Sequence, residues 1–80
     1  MITVQTKLFA TLRRQYPDLA IGETMSVELP DEATVRQLLE ELDLPEERVK
    51  VVFVNGIVQK EGHQLSDGDE IGLFPPVGGG

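Results

Sequence analysis

Ile2, Val4, Thr6 and Leu8 alternate with Thr3, Gln5 and Lys7, the two-residue period of a strand that buries one face. Over residues 9–16 (FATLRRQY) that period is lost and Pro17 closes the stretch, which predicts a short helix. Ile21-Gly22-Glu23 reads as a turn. Met25, Val27 and Leu29 then alternate with Ser26 and Glu28, a second strand that Pro30 ends. From Thr34 to Leu42 the period changes again. Val35, Leu38, Leu39 and Leu42 fall at i, i+3, i+4 and i+7, one apolar helical stripe. Thr34 followed by Gln37 matches a capping box, in which each side chain satisfies a free backbone N–H of the first turn. Leu44-Pro45 stops this helix, because proline disfavours a helical residue before it.

Val51-Val52-Phe53-Val54 is a continuous apolar run, as expected of a strand inside a sheet. Asn55-Gly56 follows, and both residues tolerate positive φ, so the chain turns back through Ile57-Val58-Gln59 as a hairpin. Asp67-Gly68 is a further turn, feeding a last strand over Glu70–Phe74 that Pro75 halts. The order is strand, short helix, strand, main helix, then three strands. One helix against one small sheet is an α+β arrangement, with both the first and last strands suited to the centre. We divide the chain into a folded unit over residues 1–76 and a flexible tail over 77–80.

Eighty residues allow a modest core, burying about 60–65% of the surface that the unfolded chain exposes. With no cysteine, neither a disulfide nor a thiolate metal site can supplement it, and no thiol nucleophile is present. The formal charge is −7, from 14 acidic and 7 basic residues, a field that repels nucleic-acid phosphates. It suits a solvated surface, or steering towards a partner with a basic face. No apolar stretch approaches the ~20 residues of a membrane span, and strand-like sequence follows Met1 directly. The expectation is a cytoplasmic protein with no membrane or nucleic-acid partner.

The remaining chemistry-bearing residues are sparse. His63, the single histidine, stands in a polar loop with no cysteine or second histidine to share a metal. Asp67-Gly68-Asp69-Glu70 clusters carboxylates but lacks the spacing of a calcium loop. Glu40-Glu41, Asp43 and Glu46-Glu47 make an acidic run that reads as a solvated face. Ser26 and Ser66 have no evident neighbouring base, and no phosphate-binding glycine loop is present. With no clustered metal ligands either, the chain is not expected to activate itself with ATP.

Four motifs together resemble the small sulfur-carrier proteins of molybdenum-cofactor and thiamine biosynthesis. They are Val54-Asn55-Gly56, Asp67-Gly68-Asp69-Glu70, Phe74-Pro75-Pro76-Val77, and a sequence ending on Gly79-Gly80. Lys7-Leu8-Phe9-Ala10 and Thr34 at the start of the main helix extend the likeness over nearly the whole chain. Within that group the sequence is most similar to the small subunit of molybdopterin synthase. The resemblance implies a ubiquitin-like β-grasp fold: a mixed five-stranded sheet, one main helix and the short N-terminal helix.

It also implies a mechanism. A ubiquitin-activating-enzyme-like adenylyltransferase would adenylate the Gly80 carboxylate with ATP, and a sulfur donor system would convert the adenylate to a thiocarboxylate. The loaded carrier would dock on the large subunit of molybdopterin synthase, in a heterotetramer, and give its sulfur to a pterin precursor. ATP would be used by the partner, with no cofactor held stably here. Related carriers serve thiamine or tRNA thiolation, and ubiquitin-like modifiers join lysines through the same kind of terminus. An interaction module with an inert tail is the fourth reading.

Physical chemistry fits the glycines to such a role. A narrow tunnel admits backbone without side chains, and glycine adopts any φ. Extended at ~3.3–3.6 Å per residue, Val77 to Gly80 would reach roughly 13 Å. Gly78 and Gly79 would be the thread, Val77 the last side-chain contact, and Pro75-Pro76 a stiff exit. Gly78 stands where the family commonly carries a small side chain. The resemblance also assigns Phe9, Val58 and Phe74 to a hydrophobic docking patch. Ile71 and Leu73 can supply the buried face of the last strand, which leaves Phe74 for docking; Phe9 and Val58 suit either a core or a docking role.

Overall fold

A computed structural model describes residues 1–76. Five strands, β1 (Ile2–Leu8), β2 (Thr24–Leu29), β3 (Val51–Val54), β4 (Ile57–Gln59) and β5 (Glu70–Phe74), form one mixed sheet in the order β2-β1-β5-β3-β4. β1 and β5 are parallel neighbours at the centre, and the other pairings are antiparallel. One helix, α1 (Val35–Glu41), supplies the apolar side chains opposite one face of the sheet, giving the expected β-grasp arrangement.

The alternation in β1 is what builds the core. Ile2, Val4, Thr6 and Leu8 are buried while the residues between them are half-exposed. Val35, Leu38, Leu39 and Leu42 of the helical stripe are buried with them, alongside Leu29, Val54, Ile71 and Leu73. Among the described residues Thr6 is the one buried polar side chain of this face, and its hydroxyl has no hydrogen-bond partner among them.

Local chemistry closes α1 at both ends. Thr34 accepts from the Gln37 N–H at 3.4 Å, and the Gln37 side chain accepts from the Thr34 N–H at 2.9 Å, completing the capping box. At the other end Asp43 turns left-handed at φ 58°, the Asp43 N–H bonds to the Glu40 carbonyl, and the Leu44 N–H reaches back to the Leu39 carbonyl at 2.9 Å. That pair of bonds is a Schellman closure, usually built on glycine.

The short helix expected over residues 9–16 is instead a 3-10 segment, Ala10–Gln15. The Phe9 N–H is held by the Leu73 carbonyl at 3.1 Å, and Ala10 takes φ 52°, which an α-helix excludes. Only Leu12 of the segment is buried, so no apolar stripe compensates for breaking that strand-end contact. The segment still has a structural task. Tyr16 donates its hydroxyl to the Leu42 carbonyl at 2.9 Å, and Gln15 donates to the Asp43 carbonyl at 2.7 Å. Both acceptors lie at the end of α1, where carbonyls lack helical partners.

The two loop motifs prove to be one cross-link. Asn55 and Gly56 have φ 52° and 84°, the paired left-handed residues of a two-residue hairpin joining β3 to β4. The Asn55 side chain donates to Asp69 Oδ1 and accepts from the Glu70 N–H, each at 2.9 Å. Asp69 also accepts from the Ser66 N–H, while Asp67 accepts from the Thr3 N–H at 2.8 Å. These carboxylates tie the entry of β5 to β3 and β1. Among the described residues no group of three potential ligands could hold a metal ion, and no helix is long and apolar enough to cross a membrane.

Candidate functional site

The sheet face away from α1 carries the residues of interest. Strand alternation buries Ile71 and Leu73 against the helix, which puts Gly72 and Phe74 on the open side. Lys7 pairs with Gly72 across β1 and β5, and Phe53 pairs with Gly72 across β3 and β5. Phe9 follows β1 and continues the outward set that Lys7 belongs to.

Three aromatic rings meet there. Phe9 and Phe74 stack with centroids 4.0 Å apart and planes 7° from parallel. Phe53 meets Phe74 edge-on, at 5.4 Å and 74°. The Lys7 ammonium lies 5.9 Å from the Phe9 centroid, at the limit of a cation–π contact. Together these rings line an open groove of about 470 Å³, flanked by Gln5, Lys7 and Glu70. All three rings are half-exposed and none joins the core. A cluster of half-exposed aromatics in a concavity is the usual composition of a protein-docking centre.

Val58 stands apart from that cluster. It opposes Phe53 in the β3–β4 pairing and is 60% exposed, so it faces the same side. It lines a second groove, of about 860 Å³, together with Pro76, Val51 and Lys50. Glu46 and Glu61 border this second groove, and both pair with Arg36 of α1. The hydrogen bond from Arg36 holds the Glu61 carboxyl below its ordinary range and raises the Arg36 guanidinium. Pro75 is half-buried and Pro76 exposed, immediately after β5. Val77, Gly78, Gly79 and Gly80 lie outside the described residues.

Phe53 escaped the sequence reading because Val51–Val54 looks uniformly apolar. The signal was nonetheless present. A two-residue turn at Asn55-Gly56 sets the register, and alternation from buried Val54 sends Phe53 outward.

Comparison with known proteins agrees with this geometry. The family model described as the ThiS family matches residues 6–80. The Pyrococcus furiosus protein assigned as molybdopterin converting factor subunit 1 is 32% identical, with a TM-score of 0.74, over 96% of this chain and 100% of that one. Small archaeal modifier protein 1 from Haloferax volcanii is 27% identical, with a TM-score of 0.77, over 96% of this chain and 100% of its own. In the Helicobacter pylori complex of subunits 1 and 2 of molybdopterin-converting factor, the matching chain is 27% identical. Its TM-score is 0.60, over 99% of this chain and 100% of that one. Curated proteins give no significant match. With a family model running from β1 to the final glycine and a β-grasp sheet to carry it, the chain belongs to the ThiS family of small sulfur carriers.

Proposed function

We propose that this protein carries sulfur as a thiocarboxylate on Gly80 and delivers it in molybdopterin synthesis, as the small subunit of the synthase. The observation that carries the reading is the continuity of β5. The central strand ends in the aromatic cluster at Phe74, and in sequence Pro75-Pro76-Val77-Gly78-Gly79-Gly80 follow it directly. A surface suited to gripping the body and a glycine sequence suited to threading thus follow from the same strand.

A carboxylate resists attack by sulfur until it has a leaving group. An adenylating partner supplies one: the Gly80 carboxylate attacks the α-phosphorus of ATP and pyrophosphate leaves. Sulfide released by the donor system then attacks the acyl carbon, AMP departs as the leaving group, and loss of the sulfur's proton leaves the thiocarboxylate. At the large synthase subunit its sulfur attacks a pterin carbon and displaces an oxygen substituent there, forming a thioester. Water then attacks the acyl carbon and breaks the acyl–sulfur bond, returning the Gly80 carboxylate and leaving the thiolate on the pterin. The subunit 1 and 2 complex from Helicobacter pylori supports a large-subunit partner. The likeness to the archaeal modifier supports a second reading, in which a lysine amine replaces sulfur as the attacking group.

Deletion of Gly80 tests the proposal. The truncated protein should melt as the full chain does, because a terminal residue past the last strand adds little to stability. It should accept no sulfur from the activating enzyme, ATP and a donor. Sulfur transfer by the truncated protein would refute the mechanism, and lysine adducts in place of thiocarboxylate would favour the modifier.

A further inference from the structure

Gly72 is the one glycine inside a strand among the described residues, and its backbone does not need to be glycine. Gly22, Gly56 and Gly68 all sit at positive φ in turns; Gly72 does not. Glycine within a strand weakens it, through chain entropy and the missing side chain. Such a residue calls for a compensating reason, and the open face supplies one. A Cβ at this position would stand 3.4 Å from Phe9 Cε2, 3.7 Å from Phe74 Cε1 and 3.9 Å from the Phe53 Cβ. The three aromatic side chains surround the bare Cα. One methyl would just touch them, and the branches of a larger side chain would occupy the space of the rings.

We propose that Gly72 is a positioning residue for capture of the adenylating partner: with no branched side chain there, Phe9, Phe53 and Phe74 close into one docking surface. The inference rests on the carrier reading above. Gly72 acts through the rings, so its effect must disappear when they no longer need the space. That distinguishes it from a glycine that merely tolerates a strand position, where valine would strengthen the sheet.

The test is ATP–pyrophosphate exchange by the cognate adenylating enzyme, with wild type, Gly72→Ala, Gly72→Val, Phe9→Ala and the double variant Phe9→Ala/Gly72→Val. Stacked aromatic pairs contribute enough that Gly72→Val should raise the KM for this protein roughly two- to tenfold at unchanged kcat, with Gly72→Ala close to wild type because its methyl fits in contact with the rings. In the Phe9→Ala background, Gly72→Val should add less than about twofold, as coupled neighbours do. Proton NMR of the Phe9 and Phe74 rings should show their mutual ring-current shifts reduced in Gly72→Val and close to wild type in Gly72→Ala, whose methyl only touches the rings. Gly72→Thr, branched in the same way, reads the claim if Gly72→Val does not fold. An unchanged KM and unchanged ring shifts in the branched variant would overturn the role of Gly72, as would a KM increase that persists in full without Phe9. If wild type supports no exchange at all, the carrier reading falls and this role with it.

Discussion

Phe9 and Phe74 stack at 4.0 Å from opposite ends of the sequence, one following β1 and the other ending β5. Their pairing puts an aromatic surface at the point where the chain leaves the sheet. Replacing Phe74 with alanine should weaken binding to the activating enzyme at least tenfold, the loss typical of an interface anchor. Stability should fall by only about 1–2 kcal/mol, because the ring is half-exposed. Titration calorimetry and urea unfolding separate the two effects. Binding unchanged in Phe74→Ala would remove the aromatic cluster from the account.

Asn55 combines a left-handed backbone with two side-chain hydrogen bonds to the start of β5. Alanine at 55 should lower stability by about 2 kcal/mol, from strain at φ 52° and the lost bonds. Asp69→Ala removes one end of the same cross-link. Urea unfolding of the double variant should therefore show less than the sum of the single losses.

Asp43 occupies the left-handed Schellman position that glycine fills without strain. Its negative charge also sits at the unfavourable end of the α1 dipole. Asp43→Gly should stabilise the protein by about 0.5–1 kcal/mol, raising the thermal midpoint by a few degrees, on the order of 4 °C. Differential scanning calorimetry checks the sign.

Tyr16 has its phenol pKa raised above the ordinary value of about 10, by partial burial first and then by the charges of Asp43 and Glu41. A raised folded-state value favours the neutral phenol in the fold. Its contribution is therefore fully present below pH ~10 and is lost as pH rises through the folded value. Ionisation also removes the proton donated to the Leu42 carbonyl. Urea unfolding across pH 9–12 should show stability falling more steeply for wild type than for Tyr16→Phe.

Much of this fold is legible because its signals are local. The Thr34–Gln37 capping box and the Val35, Leu38, Leu39, Leu42 stripe place α1 within a residue of its observed ends. Asn55-Gly56 likewise marks its hairpin from dihedral preference alone. The failure at residues 9–16 has a non-local cause, the hold of Leu73 on Phe9. Nothing near Phe9 in sequence announces that contact. The role of Gly72 is hidden for the same reason, since the surface it shares with Phe53 exists only once β3 and β5 pair. Phe53 itself is marked locally, by the Asn55-Gly56 turn that sends it outward. The sulfur chemistry came from resemblance, because three glycines by themselves indicate only an end that can be threaded.

The central claim is that Gly80 carries the reacting atom, and intact-mass spectrometry of the protein from its own cells tests it most directly. The account predicts a fraction whose mass reflects one terminal oxygen replaced by sulfur. That fraction should increase when the purified protein meets its activating enzyme, ATP and a sulfur donor, and vanish when Gly80 is deleted. A terminus that stays an ordinary carboxylate under those conditions would contradict it.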